Sequence, residues 1–137
     1  MQIRNIKVVE RIFSYDDVPF ITESWLYSAR RTPYMRDLTN RTYFQIIPKM
    51  IADIIQDVNT RIKIYCNQDD HTHIIGFLIY DLKDKRIHYA YTAPSYRRAK
   101  VASTMIEEAF KTTSDNLYSS FTVVFNPFQF KPKDNYL

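Results

Sequence analysis

Residues Ile87–Ile106, with the sequence IHYAYTAPSYRRAKVASTMI, decide the fold of this chain. The β-branched and aromatic residues at the start predict a strand, and Pro94 ends it because proline has no N–H to donate to a ladder. Apolar residues at i, i+4 spacing then predict a helix that opens near Arg98; they are Val101, Ala102, Met105, Ile106, Ala109 and Phe110. The first amides of a helix lack partners and carry the positive end of its dipole, so this turn predicts an anion site. Arg97 and Lys100 add positive charge to it.

The composition describes one globular domain, residues 1–137. The chain has 137 residues, 45% of them hydrophobic, which is enough for a single core. No apolar run approaches the roughly 20 residues that cross a bilayer, and the charged start of the chain does not resemble a signal peptide. We therefore expect a cytoplasmic protein with no membrane partner.

Charge and glycine content narrow the class of ligand. The net charge of +4 mildly favours anionic partners. Gly76 is the single glycine, so the chain contains neither a Walker A loop nor a GxGxxG dinucleotide fingerprint.

The N-terminal half predicts a strand and two helices. A strand is expected at Ile3–Phe13, followed by Ser14 and Asp17 in the manner of a capping box. One helix should follow with Val18, Ile21, Trp25 and Ala29 on one face, and a second should begin at Thr39 or Asn40. The apolar stripe predicted for the second helix is Phe44, Ile47, Ile51, Ile54 and Val58. Pro48 should kink or split it.

The C-terminal half predicts a sheet. Alternating and apolar runs at 62–66, 74–80 and 87–92 indicate an antiparallel meander with polar turns at 67–72 and 83–85. A buried strand at Phe121–Phe125 should lie parallel to the 87–92 strand, with the helix between them as crossover. The expected fold class is α+β: a layered fold with a mostly antiparallel central sheet, two N-terminal helices and a phosphate-loop helix.

Three polar or aromatic groups allow more than one interpretation. Residues 28–41 hold Arg30, Arg31, Arg36 and Arg41 and form either a solvated loop or a basic lip over a substrate site. The segment 69–73, DDHTH, looks like a metal site, but a solvated hairpin turn is the better interpretation, so no metal is predicted. Tyr89 and Tyr91 near the paired arginines could also form a stacking surface for single-stranded nucleic acid, although core packing is the more common role.

The order of elements and the loop resemble the GCN5-related N-acetyltransferase (GNAT) superfamily. Its members carry a loop of the form Gln/Arg-x-x-Gly-x-Gly/Ala, and the matching positions here are 97–102, RRAKVA. Gly76 also lies where such proteins often have a glycine. More narrowly, FITESWLYSAR at 20–30, TYF at 42–44, HYAYTAPSYRR at 88–98 and FNPFQF at 125–130 are similar to small acetyltransferase-like proteins of tailed phages, which would place the chain in a host cytoplasm.

The resemblance implies an N-acetyltransferase with acetyl-CoA as cosubstrate and an amine acceptor of unknown identity. Its expected coenzyme-binding residues are Tyr91, Thr92, Arg97, Arg98, Ala99, Lys100, Val101, Ala102, Ser103 and Asn126. A backbone amide of strand 89–92 would stabilise the charge that develops on the thioester oxygen. The base that removes the amine proton is His88, or a carboxylate such as Glu23 or Asp81, or a water chain.

Two departures from the family pattern leave alternatives open. Lys100 stands where the family has glycine, so its side chain either crowds the pyrophosphate or adds a phosphate contact. The chain also has only a short tail after the fifth family strand, with Tyr136 as the candidate acid for the departing thiolate. This shortened end favours a homodimer that completes the acceptor site. It also keeps open a non-catalytic binding or virion-associated protein, or a nucleic-acid-binding module.

Overall fold

A computed structural model describes residues 2–32, 35–84, 86–111 and 122–123, with backbone alone for 110–111 and 122–123. Its helices are α1 (Val18–Arg30), α2 (Asn40–Gln56) and α3 (Val101–Lys111). Its strands are β1 (Gln2–Ile3), β2 (Ile6–Arg11), β3 (Thr60–Asn67), β4 (Asp70–Asp81), β5 (Arg86–Thr92) and β6 (Thr122–Val123). Short 3₁₀ turns occupy Tyr15–Asp17 and Pro94–Tyr96. None of the helices in these ranges is long and apolar enough to cross a membrane.

The described strands form one sheet in the order β1-β2-β3-β4-β5-β6. Neighbours are antiparallel except for β5 and β6, which are parallel through the pairs Arg86 with Thr122 and Ile87 with Val123. The α+β class, the mostly antiparallel sheet and the parallel last strand are therefore confirmed. The α3 helix provides the crossover from β5 to β6, as expected for parallel neighbours.

The first predicted strand is wrong in its extent, because a reverse turn divides it. Arg4 and Asn5 have φ values of 49° and 68°, and the chain folds back so that Ile3 pairs with Ile6. Two consecutive residues in the left-handed region make the tight turn that suits a hairpin, and asparagine tolerates this region better than most residues. The turn contains no glycine, so the sequence pattern did not reveal it. The second arm, β2, ends at Arg11 and not at Phe13.

The capping box at Ser14 is confirmed, and an arginine from β2 completes it. The Asp17 carboxylate accepts the Ser14 amide at 2.9 Å and takes two hydrogen bonds from the Arg11 guanidinium at 2.7 and 2.8 Å. The Arg11 hydrogen bonds are the main cause that holds the pKa of Asp17 below its usual value, and the Ser14 amide adds to them. Because Asp17 is only 7% exposed, this pair ties the start of α1 to the sheet.

We expect Asp17→Asn to lower the free energy of unfolding at pH 7 by about 2 kcal/mol, since hydrogen bonds to a charged group are lost. The carboxyl pKa is lower in the folded state, so its stabilisation is complete above an unfolded-state pKa near 3.9. The stabilisation disappears as the pH falls through the folded pKa. The free energy of unfolding, measured with urea from pH 2 to 7, should therefore vary less with pH below pH 4 for Asp17→Asn than for the parent chain. Asp16→Asn, at an exposed neighbour, should keep the parent profile.

Helices α1 and α2 cover one face of the sheet. Their buried side chains are Ile21, Trp25, Ala29, Tyr43, Ile47, Met50, Ile51 and Ile54, and they pack on Ile64, Phe77, Ile79 and Tyr89. The predicted α2 stripe is correct at its centre and wrong at its ends. Phe44 is 59% exposed, and Val58 lies beyond the helix with 82% exposure. Tyr43 and Met50 are buried instead. Pro48 lies inside α2 without splitting it.

Helix α3 covers the opposite face. Val101 and Met105 pack with Tyr65 and Ile75, while Ala109 packs with Leu78, Tyr80 and Ile87. The predicted stripe of α3 is confirmed for Val101, Met105 and Ala109, which are buried. The sheet is therefore the middle layer, and the C-terminal end of β5 lies where the N-terminus of α3 and the side of α1 approach each other.

Candidate functional site

A cleft of about 640 Å³ lies between α1, the end of β5 and the start of α3. Its lining residues are Tyr27, Ser28, Arg31, Tyr89, Ala90, Tyr91, Thr92, Tyr96, Arg97, Arg98, Lys100, Val101, Ala102 and Ser103. Among these described residues, four carry positive charge, namely Arg31, Arg97, Arg98 and Lys100, and none carries negative charge. The cleft is therefore suited to an anionic ligand.

The structure brings the predicted coenzyme-binding residues together in this cleft. Of those that it describes, only Ala99 does not line the cleft; it packs with the cluster under α3 instead. Asn126 lies outside the described residues, as does the predicted acid, Tyr136. The sequence-based grouping thus corresponds to one surface.

The start of α3 presents unpaired backbone donors to the cleft. The Thr104 amide donates to the Lys100 carbonyl at 3.1 Å, which is the first i to i−4 hydrogen bond of the helix. The amides of Val101, Ala102 and Ser103 precede it and have no acceptor within the helix. All three residues line the cleft, so the positive end of the helix dipole faces its interior.

The loop before α3 has the backbone shape that the glycine motif would give. Lys100 has φ 60° and Arg98 has φ 70°, both in the left-handed region. This region costs a residue other than glycine roughly 1–2 kcal/mol. Lys100 therefore keeps the backbone conformation expected of glycine at its position and differs by its side chain. That side chain lines the cleft, where it adds a positive charge.

Two arginines fix the loop to the rest of the molecule. The Arg97 Nε atom donates to the Thr92 carbonyl at 3.0 Å and so closes the loop back on β5. Arg4, from the turn between β1 and β2, donates to the Ser95 carbonyl. These bonds hold the loop in place before any ligand arrives.

The α1 wall of the cleft was predicted only in part, because the proposed basic lip included Ser28 and Arg31 but not Tyr27 or the contacts of Tyr89. The Tyr89 hydroxyl donates to Ser28 Oγ at 2.6 Å, and its ring stacks on Trp25 with centroids 5.2 Å apart. Arg31 lies over the Tyr27 ring, 4.3 Å from its centroid. Burial raises the pKa of Tyr89, and the Ser28 hydrogen bond opposes that rise only in part, so the phenol is neutral at physiological pH.

The arginines of residues 28–41 do not act as one basic lip. Arg30 donates to the Leu38 carbonyl at 2.8 Å and to Asn40 Oδ1 at 3.0 Å, and its guanidinium lies 4.9 Å from the centroid of Tyr43. It therefore holds the connection between α1 and α2. Arg36 and Arg41 are exposed. Of the four, Arg31 is the one that lines the cleft.

The structure places His88, the predicted base, away from the cleft. Tyr89 pairs with Ile79 and Ile87 pairs with Tyr80, so His88 is the extra residue of a β-bulge in β5. His88 is 4% exposed, and burial lowers its pKa. This position gives no support to a role as base.

The alternative carboxylates do not reach the cleft either. Glu23 is exposed on α1, outside the set of lining residues. Asp81 is buried at the end of β4 and accepts the Asp84 amide at 2.7 Å, which stabilises the turn after β4.

The metal-like segment has a structural role in the β3–β4 turn. The turn is shorter than the predicted range 67–72, because β4 begins at Asp70 and Asn67 pairs with Asp70. Asp70 Oδ1 accepts the Thr72 hydroxyl at 2.6 Å and the Thr72 amide at 3.0 Å. Across the part of the chain that the structure describes, no group of three His, Cys, Asp or Glu residues could hold a metal ion.

The tyrosines of β5 pack against other aromatic rings: Tyr89 is buried in the core, and Tyr91 is half-buried at its edge. Tyr89 is 7% exposed, and Tyr91 stacks on Phe77 with ring centroids 5.0 Å apart. Phe20 covers the Tyr91 ring edge-on at 5.6 Å. Both rings are already packed against other aromatic side chains, so the nucleic-acid alternative loses its main support.

Comparison with known proteins identifies the fold. No protein-family model and no curated protein sequence matches the chain. Among solved structures it is similar to PaiA N-acetyltransferase from Thermoplasma acidophilum in complex with coenzyme A, with a TM-score of 0.52 and 17% identity over 77% of this chain and 71% of the other. It is also similar to a possible acetyltransferase from Clostridium difficile 630, with a TM-score of 0.57 and 14% identity over 85% of this chain and 76% of the other.

A third similar structure carries the family name. It is a protein from Staphylococcus aureus assigned to the GNAT family of acetyltransferases, with a TM-score of 0.52 and 17% identity over 74% of this chain and 88% of the other. This chain has the GNAT acetyltransferase fold. At these identities the likeness establishes the GNAT fold and leaves the activity to be argued from the cleft.

Proposed function

We propose that this GNAT-fold chain is a coenzyme A-dependent N-acyltransferase, with acetyl-CoA or a related thioester as donor and an amine as acceptor. The observation that carries the proposal is the cleft at the end of β5. There the first amides of α3 and four cationic side chains surround a space of about 640 Å³. A coenzyme pyrophosphate fits this combination of backbone donors, helix dipole and positive charge.

The proposed anchor is the first turn of α3. The amides of Val101, Ala102 and Ser103 would donate to the pyrophosphate oxygens, as the amides at a helix N-terminus do for other phosphates. Arg98 and Lys100 would add charge from the loop. Because Arg97 is tied to the Thr92 carbonyl, this loop is already ordered and the entropic cost of binding is smaller.

The edge of β5 that faces away from β4 would hold the rest of the donor. The Ala93 amide bonds to the Ile75 carbonyl, so odd-numbered residues of this segment face β4. By the alternation of an antiparallel ladder, the amides of Ala90 and Thr92 point to the other edge. The described residues of β6 pair beside Arg86 and Ile87, at the far end of β5. We propose that the Ala90 or Thr92 amide donates to the thioester carbonyl, where negative charge develops.

In the proposed reaction a neutral amine attacks the thioester carbon, and the carbon–sulfur bond then breaks to release the coenzyme thiolate. The proton of the amine would leave through water, because neither His88 nor the two carboxylates lines the cleft. The thiolate would accept a proton from solvent or from a side chain. Tyr136 as that acid, a homodimer, a cytoplasmic location and a phage origin stay predictions from the sequence.

The direct test has two readouts on the same chain. Thermal unfolding with coenzyme A at 100 times its Kd should show about 2.7 kcal/mol of added stability. Thiol release from acetyl-CoA should then appear with some member of a panel of amines. Coenzyme binding without thiol release across the panel would favour the non-catalytic alternative. An unchanged melting temperature with millimolar coenzyme A would contradict the proposal.

Substitutions at Lys100 separate the effect of its charge from that of its backbone. Lys100→Ala keeps the left-handed strain and removes the charge, so we expect about fivefold weaker binding of coenzyme A, or roughly 1 kcal/mol. Lys100→Gly should show the same loss of affinity but unfold at higher temperature, because glycine relieves part of the strain. Calorimetry and thermal unfolding measure the two effects. Tighter binding by both variants would show that the lysine crowds the phosphates.

A further inference from the structure

A second, smaller pocket of about 200 Å³ adjoins the cleft. It is lined by Trp25, Ser28, Ala29, Thr32 and Tyr89. Ser28 and Tyr89 line both spaces, so the hydrogen bond between them stands where the two meet. The pocket therefore lies next to the cleft, between α1 and β5.

The walls of this pocket are apolar in effect. Trp25 and Tyr89 contribute stacked rings, and Ala29 contributes a methyl group. The Thr32 hydroxyl already donates to the Ala29 carbonyl at 2.7 Å, and the Tyr89 hydroxyl donates to Ser28. None of the five lining residues is charged. An ammonium group entering here would lose its hydration and find no carboxylate among the lining residues, whereas an alkyl chain would lose only contact with water.

In the proposed binding mode, the pocket lies at the acyl end of the donor. A coenzyme anchored on the first turn of α3 and extended along β5 from Thr92 would bring its thioester to Tyr89 and Ser28. The acyl group would then lie at the mouth of the pocket. A methyl group is similar in size to a water molecule, which has about 30 Å³ of liquid volume. The methyl of an acetyl group would therefore leave most of the 200 Å³ pocket unfilled.

Resting on the proposed function, we propose that this pocket binds the acyl chain of the donor and that the chain prefers acyl-CoA thioesters longer than acetyl. Each methylene moved from water into the pocket should tighten binding about fourfold. Butyryl-CoA should therefore bind about 15-fold more tightly than acetyl-CoA, and the gain should end once the pocket is full.

Calorimetric titration of the whole chain with coenzyme A and with its acetyl, propionyl, butyryl and hexanoyl thioesters tests this inference. The affinity should rise about fourfold with each added methylene from acetyl-CoA to butyryl-CoA. Ala29→Leu fills the pocket, so the ratio of butyryl to acetyl affinity should fall below about twofold within that variant. Ala52→Leu makes the same change on a half-buried face of α2 and should keep the 15-fold ratio.

The outcomes separate this inference from the proposed function. Saturable binding of coenzyme A with a flat acyl series would overturn the acyl pocket and leave the proposed function standing. No binding of coenzyme A would overturn both. Should circular dichroism show that Ala29→Leu does not fold, Thr32→Leu fills the same space from the end of α1. A ratio near 15-fold in the folded filling variant would show that the acyl chain lies elsewhere.

Discussion

Ser103→Glu is expected to weaken coenzyme A binding about 100-fold without destabilising the chain. Ser103 is exposed in the first turn of α3 and lines the cleft, so a carboxylate there would face the phosphates. Two like charges 4 Å apart repel by about 4 kcal/mol at an effective dielectric constant of 20, and by half of that at twice the distance. A loss of about 2.7 kcal/mol corresponds to 100-fold in Kd. Calorimetric titration with coenzyme A at moderate salt measures it.

The Ser103→Glu variant should bind coenzyme A more weakly but be slightly more stable than the parent chain. A glutamate in the first helical turn interacts favourably with the helix dipole, which is worth about 0.3–1 kcal/mol. Ser103→Gln is the matched control, since it has nearly the same size without the charge, and its Kd should stay within about threefold of the parent value. Equal loss of affinity in both variants would attribute the effect to size and would contradict an anion site at this helix N-terminus.

Gly76→Ala is expected to lower the free energy of unfolding by about 3 kcal/mol, or about 10 °C in melting temperature. A Cβ atom at Gly76 would lie 2.7 Å from the Tyr91 carbonyl oxygen and 3.1 Å from Met105 Sδ. The first contact is with backbone, so β5 itself would have to move away from β4. Thermal and urea unfolding measure the loss. Because Tyr91 lines the cleft, affinity for coenzyme A should fall as well.

The double substitution Gly76→Ala with Met105→Ala identifies the contact responsible. Removing the methionine side chain frees space at the flexible neighbour and leaves the backbone contact of 2.7 Å in place. We therefore expect no recovery of stability relative to Gly76→Ala; the double variant should be less stable still, because Met105 is fully buried. Recovery of the parent melting temperature would place the crowding at Met105 and would contradict the strand-separation account.

The helix N-terminus with its basic loop could be predicted from sequence because its causes are local. Pro94 ends the strand, the arginine pair follows, and the stripe of Val101, Met105 and Ala109 defines the helix, all within a few residues of one another. The helix then sets the direction of its own first amides. The glycine of the family motif also suggested an unusual backbone conformation at position 100. The motif alone did not show that a lysine retains the left-handed conformation there.

The opposite wall depended on tertiary contacts that no local pattern encodes. Ser28 and Tyr89 lie 61 residues apart in sequence and meet through a 2.6 Å hydrogen bond. His88 illustrates a second difficulty, because the bulge at this residue disrupts the strict alternation of faces in β5. The prediction of His88 as base assumed its nearness to the thioester, and the structure buries it elsewhere.

Backbone amide chemical shifts during titration with coenzyme A test the central claim most directly. The account predicts saturable shifts for the amides of Val101, Ala102 and Ser103 and for residues 89–92, since these form the proposed anchor and edge. Amides of α2, such as those of Ile51 and Ile54, should not move. The absence of saturable shifts at millimolar coenzyme A, or shifts confined to residues outside the cleft, would contradict the account.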